Sequence, residues 1–247
     1  MNKVAIVSSL YKAEKYLSNF LNNIVAQSIF DQCEVYLVDG NSPEKEHEIV
    51  KPYLDKYKNI RYEKLDQDPG IYSCWNLAIE KTNSEYITNA NVDDRLFPLS
   101  IEKHVRLLDS QPDIDVAYCY NVKSTTPNMH PSMLRGNEPI FTTGEFSVEN
   151  MLKANLPHNH PVWRRSLHNK FGYFNTEDYV SGSDWEFVLR CAVEGVKMKL
   201  IPQILGVYYD NPEGMSTKPE NMERNLKEVE DIRNKYTSML ELIKNET

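Results

Sequence analysis

Side chains able to bind a cation, accept a proton or grip a polar ligand recur at turn-like stretches of this 247-residue chain. In Val38-Asp39-Gly40-Asn41-Ser42 a carboxylate beside a glycine turn can accept hydrogen bonds from a base edge, and a plain turn-forming aspartate suits the same composition. Asp66, Asp68 and Gly70 form a second such stretch, where Asp68 either meets a ligand or caps the helix that follows. Asn91-Val92-Asp93-Asp94 carries three oxygen-bearing side chains, a set that suits a hard divalent cation touching a diphosphate, although acidic turns are common. Asp93 and Asp94 are its candidate metal ligands. Ser183-Asp184-Trp185-Glu186 opens an amphipathic segment in which Asp184 is either an N-cap, the reading local sequence favours, or a general base facing a cleft.

Histidines and tryptophans add weaker signals. His158 and His160 flank Asn159 at a strand-like spacing that puts both rings on one side; a substrate contact or a buried, hydrogen-bonded ring outweighs metal ligation there. Trp75, Trp163 and Trp185 can stack on sugar faces, but Trp75 and Trp185 fall within helices as core residues. Trp163 follows the His-Pro turn and is the better ligand candidate.

Elements able to position these groups alternate along the first half. Apolar runs at 4–7, 35–38 and 60–65 and a strand at 86–88 are separated by helical stretches at 13–26, 44–57 and 71–81, which argues for parallel strands joined by helices. Leu17, Phe20, Leu21, Ile24 and Val25 make one apolar stripe on the first helix. The turns named above then fall at the carboxyl ends of the strands, where open α/β sheets bind ligands. Beyond Phe97 the spacing predicts a helix to Leu108, a strand at 116–122, a polar stretch at 123–143 that reads as a mobile lid over the acceptor, and a helix at 147–154. A helix at 184–194 and a strand at 197–201 ended by Pro202 follow. From Pro219, Met222, Leu226, Val229, Ile232, Tyr236, Leu240 and Ile243 share a face of a Glu- and Lys-rich helix. Packing onto its own domain is favoured over a homodimer seam or a peripheral membrane contact.

Composition narrows the classes. With 36 acidic and 28 basic side chains the net charge is -8, which works against nonspecific binding of a nucleic-acid backbone. No window reaches the roughly 18 apolar residues of a membrane span, and a cytoplasmic protein is expected. Cys33, Cys74, Cys119 and Cys191 lack C-x-x-C spacing and read as buried thiols. Ser8-Ser9-Leu10-Tyr11-Lys12 after the first strand has no glycine fingerprint, which argues against a nicotinamide-dependent dehydrogenase.

Taken in order, the stretches at 4–11 with Tyr16-Leu17, at 38–42, at 68–72 with Asn76, at 85–87 with 91–94, at 160–165, at 171–174 and at 183–186 with Leu189-Arg190 resemble the family-2 glycosyltransferases. The resemblance implies a GT-A fold: a Rossmann-like α/β domain with a mostly parallel central sheet flanked by helices. One domain would run over 1–216, with a nucleotide-sugar half at 1–95 and an acceptor half at 96–216, followed by a C-terminal helix at 217–247. It further implies Tyr11 stacking on a uracil ring, Asp39 on the base, Asp68 on base or ribose, Asn91 and Asp93 at the donor, and Asp93 holding Mn2+ or Mg2+. Asp184 then takes the place of the base that deprotonates an acceptor hydroxyl. The implied reaction is inverting transfer of one sugar from a nucleotide-diphosphate sugar, a UDP-sugar foremost, to a saccharide or lipid-linked acceptor in surface polysaccharide or glycoconjugate synthesis. Two positions depart from the family: Asn91 replaces the first acid of D-x-D, and Ser183 the acid before the base. These departures motivate the alternative of an inactive sugar-nucleotide-binding protein of the same fold. Q-x-x-R-W, found in processive members, is absent, so a single transfer per encounter is expected.

Overall fold

The computed structural model describes residues 2–141 and 144–246, with side chains through Leu242, so the side chain of Ile243 lies outside the described residues. The first half builds β1 (Val4–Leu10), α1 (Glu14–Val25), β2 (Cys33–Asp39), α2 (Glu46–Lys56), β3 (Ile60–Lys64), α3 (Ile71–Lys81) and β4 (Tyr86–Asn89). After it come β5 (Arg95–Leu96), α4 (Ser100–Ser110), β6 (Val116–Ser124), β7 (Ile140–Phe141), α5 (Val148–Met151), β8 (Val162–Arg164), α6 (Ser166–Phe171), α7 (Ser183–Val193), β9 (Met198–Tyr209) and α8 (Met222–Glu246).

β2 is buried at every position and β1 at all but Ser9, as apolar strands covered on both faces must be. Alternation sorts their side chains: Val4, Ile6, Val35 and Leu37 join the core under α1, α2 and α4, whereas Ala5, Val7, Tyr36 and Val38 join the core under α3, α7 and α8. The strand order is β3-β2-β1-β4-β8-β6-β9-β5, with β7 added on β6. The N-terminal strands pair in parallel, as expected. The C-terminal half is mixed: β6 and β9 are parallel, while β8 runs antiparallel to both β4 and β6, and β5 antiparallel to β9. The residues between β4 and β5 therefore carry the chain from the middle of the sheet to its far edge.

Several boundaries differ from expectation. Pro202 does not end its strand: β9 continues to Tyr209, because register shifts between Cys119 and Asn121 leave Pro202 and Gln203 exposed and unpaired, where a missing N–H costs no ladder bond. The helix expected over 147–154 is one turn, Val148–Met151, capped where the Ser147 hydroxyl accepts the Asn150 N–H. Within the polar stretch Asn128 makes contacts to the rest of the domain. Asn128 accepts from the Arg95 guanidinium and donates to Lys15 O (3.1 Å), and among the described residues none of 123–141 lines the main cleft.

α8 does pack on its own domain, but on a rotated face. Ile232 and Tyr236 are fully buried and Val229 and Met239 lie against the core, whereas Met222 and Leu226 are exposed. Burying a side chain of the size of Ile232 contributes about 1.5–3 kcal/mol. The Tyr236 hydroxyl donates to the buried Glu186 carboxylate of α7 (2.5 Å). None of the described helices is long and apolar enough to cross a membrane. All four cysteines are free and buried.

Candidate functional site

The ends of β1, β4 and β9 and the starts of α3 and α7 open on one cleft of about 1140 Å³. Tyr11 follows β1 with its ring 46 % exposed at the rim, a surface that can still take a stacking partner. Asp68 precedes α3, exposed, with Oδ1 accepting the Gly70 N–H (2.9 Å). A Cβ on Gly40 would sit 3.0 Å from that oxygen, so the glycine of the Asp39 turn makes room for the Asp68 carboxylate.

The turn after β4 separates its oxygens. Asp93 is partly exposed to the cleft and its Oδ2 accepts from Asn211 Nδ2 (2.9 Å), a side chain just past β9. Asp94, expected beside it as a cation ligand, instead points inward, 3 % exposed. Its Oδ1 accepts the Tyr209 N–H (2.8 Å) and its Oδ2 the Asn91 amide (3.2 Å). Burial first, and then the Asp93 charge, hold the Asp94 carboxyl well above the usual carboxylate range. Because the Asn91 nitrogen faces Asp94, its Oδ1 is left buried without a protein partner. Behind the turn, burial lowers the fully enclosed Arg95 guanidinium to about 10; it donates to the carbonyls of Val92 (2.9 Å) and Tyr16 (3.3 Å).

Asp184 is not a cap. α7 begins with Gly182 at the N-cap position and no side-chain capping bond, which leaves the Asp184 carboxylate facing the cleft. Tyr72 OH lies 2.9 Å from Oδ1 and Asn155 Nδ2 donates to Oδ2 at 3.0 Å, so both oxygens are oriented. Burial, followed by the Asp184 charge, pushes the Tyr72 phenol well above its ordinary value, and the phenol stays a donor.

Other expected residues are placed differently. Asp39 does not line the cleft: it is fully buried, with Oδ1 accepting the Ser42 N–H (2.7 Å) and Oδ2 the Tyr62 hydroxyl (2.5 Å). That is the turn-forming role its composition also allowed. His158 and His160 do not share a side, because Asn159 and His160 adopt left-handed backbone (φ 61° and 57°). His158 lines the cleft between the rings of Phe141 and Tyr208, its Nδ1 without a protein partner. His160 sits beneath, with Nδ1 3.2 Å from Asn121 Oδ1, and burial lowers it to about 3. Trp163 and Trp185 are core residues of the cleft floor. The Trp163 indole donates to His168 Nε2 (3.0 Å) and that of Trp185 to Met151 O (2.8 Å).

Sequence reasoning missed Tyr72, Asn155 and Asn211, which orient Asp184 and Asp93. Asn211 had a signal, since it follows a strand ending at the same sheet edge. Asn155 had none, because neutral amides in loops are ordinary. Lys12 and Lys15 also line the cleft and bring positive charge to an acidic chain.

Comparison with known proteins agrees with this geometry. The model described as Glycosyl transferase family 2 matches residues 5–171. An uncharacterized glycosyltransferase of Methanocaldococcus jannaschii is 25% identical over 207 residues, 83% of this chain and 70% of that protein. The fold superposes on S. aureus TarS in complex with UDP with a TM-score of 0.72 at 19% identity, over 95% of this chain and 65% of that one. It also superposes on the mannosyltransferase PcManGT from Pyrobaculum calidifontis in complex with GDP-Man and Mn2+ (TM-score 0.66, 18% identity, 86% and 58% covered). The chain thus spans from 58% to 70% of the length of these three proteins. With a family match over most of its length and the GT-A architecture around one polar cleft, the chain belongs to glycosyl transferase family 2, a class of glycosyl-transfer enzymes.

Proposed function

We propose that this chain transfers a single sugar from a nucleotide-diphosphate donor, a UDP-sugar foremost, to an acceptor hydroxyl with inversion. The observation that carries the reading is Asp184, a carboxylate held at both oxygens by Tyr72 and Asn155 in the same cleft as Asp68 and Asp93. Residues 1–95 serve the donor and 96–216 the acceptor, a saccharide or lipid-linked glycan made in the cytoplasm. TarS with UDP and PcManGT with GDP-Man support a nucleotide-sugar donor.

In the step proposed, Asp184 takes the proton of the acceptor hydroxyl while its oxygen bonds to the anomeric carbon. The bond from that carbon to the diphosphate oxygen breaks, and the electron pair leaves with the nucleoside diphosphate. The turn at 91–94 fits a divalent cation on one test: Asn91 Oδ1 is a buried oxygen lacking a protein partner beside the Asp93 carboxylate. Among the described residues no group of three or more His, Cys, Asp or Glu could hold a metal alone. Asp93 and Asn91 Oδ1 would be the protein groups to hold a Mg2+ or Mn2+ ion there. When bound, such an ion stabilises negative charge on the leaving diphosphate. PcManGT in complex with Mn2+ supports this reading. Asn155 Oδ1 and His158 Nδ1, also buried without protein partners, suit sugar hydroxyls.

Asp184→Asn is expected to lower turnover of UDP-sugars by about 10²- to 10⁴-fold while UDP affinity stays at the native level. Near-native turnover in this variant overturns the assignment. An absence of donor hydrolysis above blank by the native chain with Mg2+ or Mn2+ favours the inactive binding protein instead.

A further inference from the structure

We infer that the C-terminal helix α8 is a working part of the active site, with Glu228 and Asn225 as positioning residues for Asp184 and for the Asp93 turn. The inference rests on Asp184 being the base. Residues 180–182 lead directly into α7, and Glu228 grips all three of their amides. Its Oε1 accepts the Val180 N–H (3.0 Å), and its Oε2 accepts the N–H groups of Ser181 (2.9 Å) and Gly182 (2.8 Å), with the Ser181 hydroxyl oxygen also 3.0 Å away. Glu228 is itself 6% exposed, so these charge-assisted bonds are shielded from water. Asp184 lies two residues past the last gripped amide, and its partner Tyr72 also meets Ser181 O (2.8 Å).

One turn earlier, Asn225 faces both sides of the cleft. Its Oδ1 accepts the Ser181 hydroxyl (2.8 Å), while its Nδ2 donates to Met215 O (3.1 Å), which Asn221 also reaches (3.0 Å). Met215 belongs to the segment that begins with Asn211, the donor to Asp93. Asn221, Asn225 and Glu228 thus tie the base loop to the loop that braces the donor turn. Gly182 is the complementary adaptation: a Cβ there would lie 2.8 Å from Ile232 Cδ1 and 3.4 Å from Glu228 Oε2, so a larger residue would have to displace the end of Ile232 for the loop to press so closely on α8. A packing helix needs apolar contact alone. A carboxylate spent on three successive loop amides fixes the loop's backbone, and with it the aim of the residue that follows. These residues all lie beyond the stretch matched by the family model, which ends at residue 171.

Glu228→Gln keeps the shape but turns one acceptor into a donor facing N–H groups. It is expected to lower kcat for UDP-sugar turnover about 10- to 100-fold with UDP affinity unchanged, and hydrogen exchange at the amides of 180–182 should quicken. Native kcat and native protection of those amides in a folded Glu228→Gln variant overturn the inference. If that variant does not fold, Asn225→Ala decides: a several-fold loss of kcat at constant UDP affinity supports the inference, and native kcat overturns it. Asp184→Asn run in parallel separates the two readings. If it turns over normally, the base assignment fails; if it is inactive while Glu228→Gln is native, only the role of α8 fails.

Discussion

Asp93 and Asp94 are sequence neighbours whose surroundings divide their tasks. Asp94 is enclosed and spends both oxygens on Tyr209 and Asn91, which ties β9 to the turn, whereas Asp93 meets the cleft with Asn211 as its brace. Asp93→Ala is therefore expected to weaken UDP binding in Mn2+ by about tenfold or more, roughly 1.4 kcal/mol, and to erase the difference between titrations with and without Mn2+. A persistent Mn2+ dependence in the variant counts against Asp93 as the anchor. Residue types alone point to Asp39, Asp68, Asp93, Asp94 and Asp184 but do not show which of them face the cleft. Asp39 ends β2 and Asp93 follows β4, yet only the fold reveals that Tyr62 and Ser42 consume Asp39. Local sequence favours a cap for Asp184 for a physical reason, since a carboxylate at the start of a helix suits the N-cap; Gly182 takes that position instead, and the Asp184 carboxylate lines the cleft.

Elements differ in how plainly their sequences declare them. The first-half strands are legible because strands buried on both faces must be apolar throughout, and α1 because its stripe follows the helical period. β9 was read short because Pro202 normally stops a strand, and sequence does not show that its partner β6 skips register there. On α8 the apolar spacing finds Val229, Ile232 and Tyr236, which pack on the core, but in its first turns it points to the exposed Met222 and Leu226, because the residues that grip the domain there, Asn225 and Glu228, are polar. β9 also holds Gly206, where a Cβ would fall 2.0 Å from Asn121 Oδ1 and 2.5 Å from His160 Nδ1. Gly206→Ala is expected to cost about 2–3 kcal/mol, seen as a lower urea midpoint at unchanged slope. A native midpoint indicates that His160 swings away freely.

At the scale of the whole molecule, stability is tied to buried neutral histidines. Burial lowers His104 and His168 to about 4 each. His168 accepts the Trp163 indole N–H at Nε2, and His104 Nε2 is buried without a partner, so neither site welcomes a second proton. Their folded values lie below the unfolded value near 6.5, so the unfolded chain binds more protons and stability rises with pH. Their contribution is complete above about pH 6.5 and is lost as pH falls toward 4, at up to about 2.7 kcal/mol per pH unit for the pair. Asp94, shifted upward, works in the opposite sense and offsets part of this. Urea unfolding at pH 7 and pH 5 should show the loss, and His104→Leu with His168→Phe should reduce it, leaving the share of the likewise buried His160; an equal slope in that variant removes His104 and His168 as causes. Long-range connectivity has its own result. Among the described residues β5 finds its strand partner in β9, across the sheet, and Asp93 its hydrogen-bonded brace in Asn211. A nascent chain leaving the ribosome therefore cannot complete the cleft until residues beyond Tyr209 have emerged, because until then the Asp93 turn lacks its brace and β5 its neighbour.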